Sequence, residues 1–194
     1  MHLAPDHQER LLDLARESIR CAIMRQRIPP LPAIEELLQP AGCFVSLHET
    51  RAHRLRGCVG RLDAKAGVAD TVCAMAQAVL EDPRFVTDPV TPDELPDLDI
   101  ELSILSPLRP ATDPLEFDLL HDGIYLTHGP ASGCFLPQVA RETGWGKETL
   151  LDRLCTEKLR LPSSAWRDER ARLYRFSTLL IGPAPLVNGR ALER

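Results

Sequence analysis

The sequence predicts an α+β protein in which helices pack on a mixed, mainly antiparallel sheet. Segments with the helical period of 3.6 residues are intermixed with segments of period two, without a strict strand–helix alternation. Two pairs of strand-like segments are joined by short polar or glycine-rich connections, which is typical of antiparallel hairpins. The 17 prolines fall mainly between these segments, so they separate elements rather than interrupt them.

The first predicted element is a helix within residues 7–24. Leu11 and Ile19 belong to a row of apolar residues at helical spacing, and charged residues occupy the opposite face. The prolines that begin at Pro29 predict that the helix ends before them. The proline-bounded segment 31–42 is predicted to be a connector with a short helical turn.

Two strands and a second helix follow. Residues 43–49 and 54–61 are predicted to form a hairpin, because the segment between them is polar. Residues 67–82 are rich in alanine and have apolar residues at helical spacing, which predicts a helix that ends at the sequence Asp-Pro-Arg-Phe. Residues 97–105 alternate apolar and polar side chains and are predicted to form a half-buried strand.

The second half of the chain predicts the same mixture of elements. Residues 121–137 have the pattern of a strand, a glycine-containing turn and a strand. Residues 138–159 are predicted to hold one or two helices, broken between Gly144 and Gly146. Residues 171–181 are predicted to be the closing strand, and the last residues a loose tail.

Composition bounds the class of protein. The 194 residues are 44% hydrophobic with a net charge of −5, which argues against wholesale nucleic-acid binding but permits a local basic patch. No apolar run approaches the roughly 20 residues that a membrane span needs, and no apolar signal segment is visible, so we expect a cytoplasmic protein without membrane contact. The six cysteines lack zinc-site spacing, and His121 and His128 have no matching third ligand, so we expect no metal and no cofactor.

The strand at 54–61 holds the strongest candidate site. A period of two places Leu55 and Val59 on one face, and Arg54, Arg56 and Cys58 on the other. If the apolar residues face the core, the thiol lies on the polar side beside two guanidinium groups. Nearby cations favour the thiolate form of cysteine.

The preceding strand restricts how the hairpin pairs. Both apolar sets must face the same side, and pairing Leu47 with Gly57 satisfies this requirement. That register brings together two pairs of residues from the polar face: Ser46 with Cys58, and His48 with Arg56.

The third strand adds Glu101 and Ser103 to the same polar face. A thiol, an imidazole, a carboxylate and arginines could therefore converge, a combination that suits nucleophilic catalysis. The alternative is structural: a β-bulge at Gly57 would turn Cys58 inward, where a small thiol simply packs.

Several segments together resemble one known family. They are GCFVSLHETRAHRLRGCVG, EDPRF, DELPDLDIELSIL, DGIYL, GCFLPQVARETGW and SAWRDERARLYRF. In motif, order and spacing the chain resembles the AMMECR family over residues 7–181. The family takes its name from a human chromosomal region linked to Alport syndrome.

The resemblance implies an α+β fold of two unequal lobes. We therefore expect one AMMECR-like domain over residues 1–185 and a tail over 186–194. It also implies a place in the AmmeMemoRadiSam system as a protein A-like component, whose partners are a Memo-like protein and a radical S-adenosylmethionine protein. A role in RNA modification is suggested for the family as well.

The family motifs also imply site residues. Cys58 and Glu101 are the expected catalytic residues. The expected substrate-binding residues are Arg56, Gly57, Gly60, Arg84 and Gln138. Two positions depart from the family pattern: His48 is not required there, and Arg160 stands where the family has glycine.

Two of these motif positions have structural alternatives. Asp82 and Arg84 either form a bonded turn that supports the Cys58 strand or mark the end of a helix. Gln138 opens a helix after Pro137, where it binds a backbone group or a ligand.

Two functional hypotheses follow from these residues. In the first, the protein is a catalytic or accessory component whose working group is Cys58. In the second, it is a non-enzymatic module that binds a small anion, RNA or a protein partner, and the cysteine only packs. The binding residues would then be Arg51, Arg54, Arg56 and Arg61.

Overall fold

The predicted α+β class is confirmed. The computed structural model describes residues 3–28, 30–63 and 65–187, and it combines helices with an antiparallel sheet in each part of the chain. The chain divides into two compact units. Unit 1 comprises Met1–Leu105 and Leu179–Arg194, and unit 2 comprises Ser106–Thr178.

In its described residues, unit 1 contains three α-helices and three strands, followed by the end of a long strand, β7. The elements are α1 Pro5–Ile23, α2 Glu35–Leu38, β1 Cys43–Glu49, β2 Leu55–Arg61, α3 Val68–Ala78 and β3 Leu98–Leu105. The strands are arranged in the order β2-β1-β3-β7, and β1 runs antiparallel to both of its neighbours. Strand β2 therefore forms an edge of this sheet.

The core of unit 1 lies where α1 and α3 pack on one face of the sheet. Alternate residues of β1 and β3, among them Val45, Leu47 and Ile100, are fully buried on that face. They meet the apolar stripe of α1 and α3, which includes Leu11 and Val72. Because successive side chains of a strand point to opposite faces, the even-numbered residues of β1 lie on the other, polar face.

Unit 2 contains three complete strands, the start of β7 and two helices. They are β4 Arg109–Pro110, β5 Asp122–His128, β6 Ala131–Phe135, α4 Pro137–Thr143, α5 Lys147–Arg153 and β7 Ala171–Pro185. Strand β5 pairs antiparallel with both β6 and β7, and β4 pairs with β7. The core of this unit brings Ile124 and Leu126 of β5 against Leu151 and Trp166.

The predicted break between the two helices of unit 2 is confirmed. Gly144 ends α4 with φ 67°, a left-handed conformation that glycine adopts without a steric penalty. A π-helical stretch, Leu154–Leu159, continues α5 and ends at Arg160, whose φ is 57°. Arg160 therefore takes up the left-handed conformation at the position where the family has glycine.

The closing strand is longer than predicted. It continues beyond residue 181 to Pro185, because the sheet edge beyond β3 supplies backbone partners that a local pattern does not reveal. The Leu186 side chain is buried in unit 1, and its N–H donates to the Leu98 carbonyl at 2.8 Å. The remainder of the predicted tail, residues 188–194, lies outside the described residues. Among the helices that the structure describes, none is long and apolar enough to cross a membrane.

Candidate functional site

A row of three polar-face residues crosses the sheet of unit 1. Ser46 of β1 pairs with Cys58 of β2 on one side and with Glu101 of β3 on the other. Leu47 pairs with Gly57 as the hydrophobic pattern predicts. Cys58 is half-buried on this face and is not turned into the core, so the thiol can meet a molecule that approaches the sheet.

The expected pairing of His48 with Arg56 is wrong. The strand register shifts between Leu47 and His48, and His48 pairs with Leu55. A bulge places two residues of one strand opposite one residue of its partner, and a regular two-residue period does not anticipate it. The bulge leaves Arg56 without a cross-strand partner and frees its side chain to turn away from β1.

The backbone of Cys58 is held from outside the sheet by the segment that follows α3. The Cys58 N–H donates to Asp82 Oδ2 at 2.8 Å, and Arg84 Nη2 donates to the Cys58 carbonyl at 3.1 Å. Asp82 and Arg84 also bind each other, through Arg84 Nε at 3.0 Å and Nη2 at 2.6 Å. We call these two residues the clamp; they satisfy both backbone groups that an edge strand would expose at Cys58.

The clamp concentrates charge at the site. The Asp82 side chain is only 3% exposed, and its hydrogen bond with Arg84 lowers the pKa of the carboxyl to about 2, helped by the N–H groups of Cys58 and Arg84. The pKa of Arg84 is raised, chiefly by its hydrogen bond with Asp82. The Arg84 guanidinium binds the carbonyl of Cys58, so its positive charge lies next to the residue that bears the thiol.

Arg56, an expected substrate-binding residue, is engaged by the protein itself. Its side chain is 7% exposed, and Glu94 Oε1 accepts from both Nε and Nη2, at 3.1 and 2.8 Å. Nη1 donates to the carbonyl and the carboxylate of Asp88. Although burial opposes the change, hydrogen bonds from the Thr91 N–H and from Arg56 lower the pKa of Glu94. Arg56 thus anchors the segment after the clamp to β2.

The aromatic ring of Phe85 lies near both arginines. The guanidinium carbons of Arg56 and Arg84 lie 5.6 and 5.7 Å from its centroid, distances at which a cation is attracted by the ring face. The sequence indicated Asp82 and Arg84 but gave no role to Phe85, Asp88 or Glu94. One signal was available: Thr91 and Glu94 form a capping box, whose S/T-x-x-E pattern can be read directly from the sequence.

The arginine cluster is largely neutralised. Arg54 binds Glu49 at 2.5 Å and Arg61 lies 3.6 Å from Asp63, while Arg56 is paired as described above. Arg51 is exposed in the β1–β2 loop. Because the paired carboxylates offset the positive charge, this hairpin offers much less cationic surface than the sequence suggests.

The two signature glycines are explained by packing. A Cβ on Gly57 would lie 2.8 Å from the Val79 carbonyl oxygen, and a Cβ on Gly60 would lie 2.1 Å from the Phe44 ring. Gly57 thus admits the 3₁₀ turn Val79–Glu81, which leads directly to the clamp.

The remaining expected residues are Glu101 and Gln138. Glu101 is separated from Cys58 by Ser46, and two strand spacings amount to about 10 Å. A direct thiol–carboxylate hydrogen bond therefore does not follow from the pairing. Gln138 is the second residue of α4 in unit 2.

Cys58 stands apart from most of the other cysteines. Cys21, Cys43, Cys73 and Cys155 are buried, whereas Cys58 and Cys134 are half-buried. Burial raises the pKa of the Cys43 thiol far above its usual range. Cys134 lies on β6 of unit 2 and is a natural reference thiol for Cys58.

Other potential binding features do not include the expected residues. Among residues 3–28, 30–63 and 65–187, no group of three or more His, Cys, Asp or Glu side chains is arranged to hold a metal ion. A cavity of about 600 Å³ in unit 1 is lined chiefly by α1, residues 92–96 and Leu186. A hollow of about 450 Å³ in unit 2 is lined by Lys147 and Arg175 with nearby acidic residues.

Comparison with known proteins gives the chain its family. The sequence profile of the AMMECR1 family matches residues 12–181. The chain belongs to the AMMECR1 family. This match confirms the resemblance that the motifs around Cys58 and Asp82 indicated.

Several relatives align over most of their length. A protein of Thermococcus gammatolerans is 38% identical over 180 residues, covering 87% of this chain and 86% of the relative. A protein of Methanothermobacter thermautotrophicus is 34% identical over 183 residues, covering 90% and 93%. The crystal structure of uncharacterised protein PH0010 from Pyrococcus horikoshii is similar with a TM-score of 0.84 at 30% identity, covering 92% of each chain.

Proposed function

We propose that this AMMECR1-family protein is a catalytic or accessory component of the AmmeMemoRadiSam system and that the Cys58 thiol is its working group. The observation that carries the proposal is the position of Cys58. Cys58 is half-buried on the polar face, and its backbone N–H and carbonyl are bound by Asp82 and Arg84. A side chain that only fills space in a core needs neither property.

The surroundings of the thiol suit nucleophilic chemistry. The sulfur loses its proton and its electron pair forms a bond to an electrophilic carbon, while the leaving group departs with the electrons of the bond that breaks. Arg84, which binds the Cys58 carbonyl, supplies positive charge next to the thiol-bearing residue. In this proposal Glu101, which lies beyond Ser46 in the same row, exchanges a proton with a substrate that extends along the row.

Selective alkylation tests the reactivity of the thiol. We expect iodoacetamide at neutral pH to modify Cys58 before the four buried cysteines and faster than Cys134, the other half-buried thiol. Peptide mass spectrometry measures each rate, and Cys134→Ser is the matched control for Cys58→Ser. Equal rates at the two sites would remove the evidence for a specially placed thiol.

The biological role is tested in cells. We expect Cys58→Ser to fail to complement a deletion of the gene under conditions in which the Cys134→Ser control succeeds. We also propose the Memo-like protein and the radical S-adenosylmethionine protein as partners, and the cytoplasm as the location. Affinity purification from the native organism is expected to recover both partners. Full complementation by Cys58→Ser would overturn the catalytic role of the thiol.

The alternative, an anion- or RNA-binding module, draws its support from the arginines. The Arg51, Arg54 and Arg61 side chains are exposed, but Arg54 and Arg61, like the buried Arg56, have carboxylate partners. This hypothesis predicts salt-sensitive RNA binding that is lost in Arg51→Glu and retained in Cys58→Ser. The ion pairs favour the thiol-centred proposal over this one.

A further inference from the structure

Arg84 is held in a way that leaves part of it available to a ligand. Its Nε and Nη2 bind Asp82, and Nη2 also binds the Cys58 carbonyl. Nη1 makes no hydrogen bond to any residue that the structure describes, and the side chain is 55% exposed. A guanidinium that keeps free donors next to a nucleophile can attract an anionic group.

Asp82 fixes this arrangement. Its carboxylate is buried, and it binds the backbone of Cys58 and both the backbone and the side chain of Arg84. Oδ1 accepts from Arg84 N and Nε, and Oδ2 accepts from Cys58 N and Arg84 Nη2. One side chain therefore sets the positions of the thiol-bearing residue and of the cation relative to each other.

We infer that Asp82 is a positioning residue that holds the Arg84 guanidinium against the backbone of Cys58, so that the site selects electrophiles carrying a negative charge, such as a carboxylate or phosphate next to the reacting carbon. This inference rests on the proposed nucleophilic role of Cys58 and adds the class of substrate to it. Arg56 does not share this role, because Glu94 and Asp88 occupy its guanidinium.

A pair of alkylating reagents separates charge selection from simple exposure. Iodoacetamide is neutral and iodoacetate is an anion of nearly the same size. Each forms the same sulfur–carbon bond, with loss of the thiol proton and departure of iodide. The ratio of the iodoacetate rate to the iodoacetamide rate therefore measures the electrostatic preference of a thiol, and a change in exposure alone alters both rates together.

We expect the ratio at Cys58 to exceed the ratio at Cys134 in the unmodified protein. Asp82→Asn and Arg84→Gln should each lower the ratio at Cys58 about threefold, the size of effect that one partly exposed charge produces. Arg84→Lys should retain part of the preference because the charge remains. Asp168→Asn is the matched control: Asp168 makes the same three hydrogen bonds to Arg170 in unit 2, and its loss should leave Cys58 unchanged.

Two outcomes would overturn the inference. If Asp82→Asn changes both rates equally, Asp82 is only structural; if Arg84→Gln lowers the ratio and Asp82→Asn does not, Arg84 needs no positioning. Absence of reaction at Cys58 with either reagent overturns it as well. Circular dichroism confirms that each variant is folded, and Arg84→Gln keeps the test decisive should Asp82→Asn unfold. Complementation by Cys58→Ser reports on the proposed function separately, because it does not depend on this ratio.

Discussion

Two Asp-x-Arg segments, one in each unit, form the same local structure and do different work. In both Asp82–Arg84 and Asp168–Arg170, the aspartate accepts the arginine N–H and Nε on one oxygen and Nη2 on the other. The Asp82 side chain is 3% exposed and the Asp168 side chain 34%. The local Asp-x-Arg motif thus forms the same turn in both units, and the neighbouring residues determine which other groups the aspartate binds.

The partners of the two aspartates make the difference concrete. Asp82 accepts the backbone N–H of Cys58 on an edge strand, whereas Asp168 lies 3.2 Å from Nε2 of His128. The first contact fixes a strand backbone that would otherwise be open. The second joins two side chains and holds no strand backbone.

The largest expected effect comes from Asp82→Asn. The amide keeps the shape but replaces one acceptor with a donor that faces the N–H groups of Cys58 or Arg84, and leaving a buried donor unsatisfied costs about 2 kcal/mol of unfolding free energy. Asp168→Asn should lower the melting temperature much less. Chemical denaturation of the two variants checks the difference; equal losses would mean that burial does not distinguish the motifs.

The substitution Gly57→Ala tests whether the packing of β2 against the turn before Asp82 matters, and it changes no residue of either Asp-x-Arg segment. Its Cβ would lie 2.8 Å from the Val79 carbonyl and 2.9 Å from Val79 Cγ2, and displacing the turn that precedes Asp82 should cost about 1.5 kcal/mol. Gly146→Ala is the control, since nothing lies within 4 Å of the Cβ it would add. Thermal melts compare the two variants. Wild-type stability in Gly57→Ala would contradict the close packing.

The pH dependence of stability provides the third comparison. Because the folded pKa of Asp82 is about 2, below an unfolded value of about 3.9, its contribution is complete above pH 4 and is lost as the pH falls through 2. The stability difference between wild type and Asp82→Asn should therefore shrink over that window.

The loss of stability at acid pH needs a measurement that is specific to Asp82, because Arg170 also lowers the pKa of Asp168. Hydrogen exchange of the Cys58 amide provides it. At pH 6, Asp82→Asn should accelerate exchange of this amide and Asp168→Asn should not. Unchanged exchange in Asp82→Asn would show that the hydrogen bond to Cys58 does not protect the amide.

Much of the sheet around the site could be predicted because its two faces differ so clearly in polarity. Val45, Leu47 and Ile100 had to face one core, and this requirement gave the pairing of Ser46 with Cys58. The bulge opposite His48 could not be predicted, since no residue pattern separates a bulged pair from a regular one. The error was confined to His48 and Arg56.

The burial of Arg56 shows where reasoning from the strand alone ends. Arg56 belongs by alternation to a solvent-facing row, yet its guanidinium is enclosed by Phe85, Asp88 and Glu94. Those partners come from residues about 30 to 40 positions along the chain. Local periodicity carries no information about such contacts.

The sequence by itself determined the α+β class, the AMMECR1 family, the pairing of Ser46 with Cys58 and the polar face of Cys58. These follow from the spacing of apolar residues and from motifs that need only neighbouring positions. Only the tertiary structure decided that Arg56 is enclosed by carboxylates while Arg84 keeps free donors beside the thiol. The physical reason is that hydrogen bonding and desolvation depend on which groups lie close together in the folded chain. A guanidinium is neutralised where carboxylates surround it and stays available to a ligand where they do not.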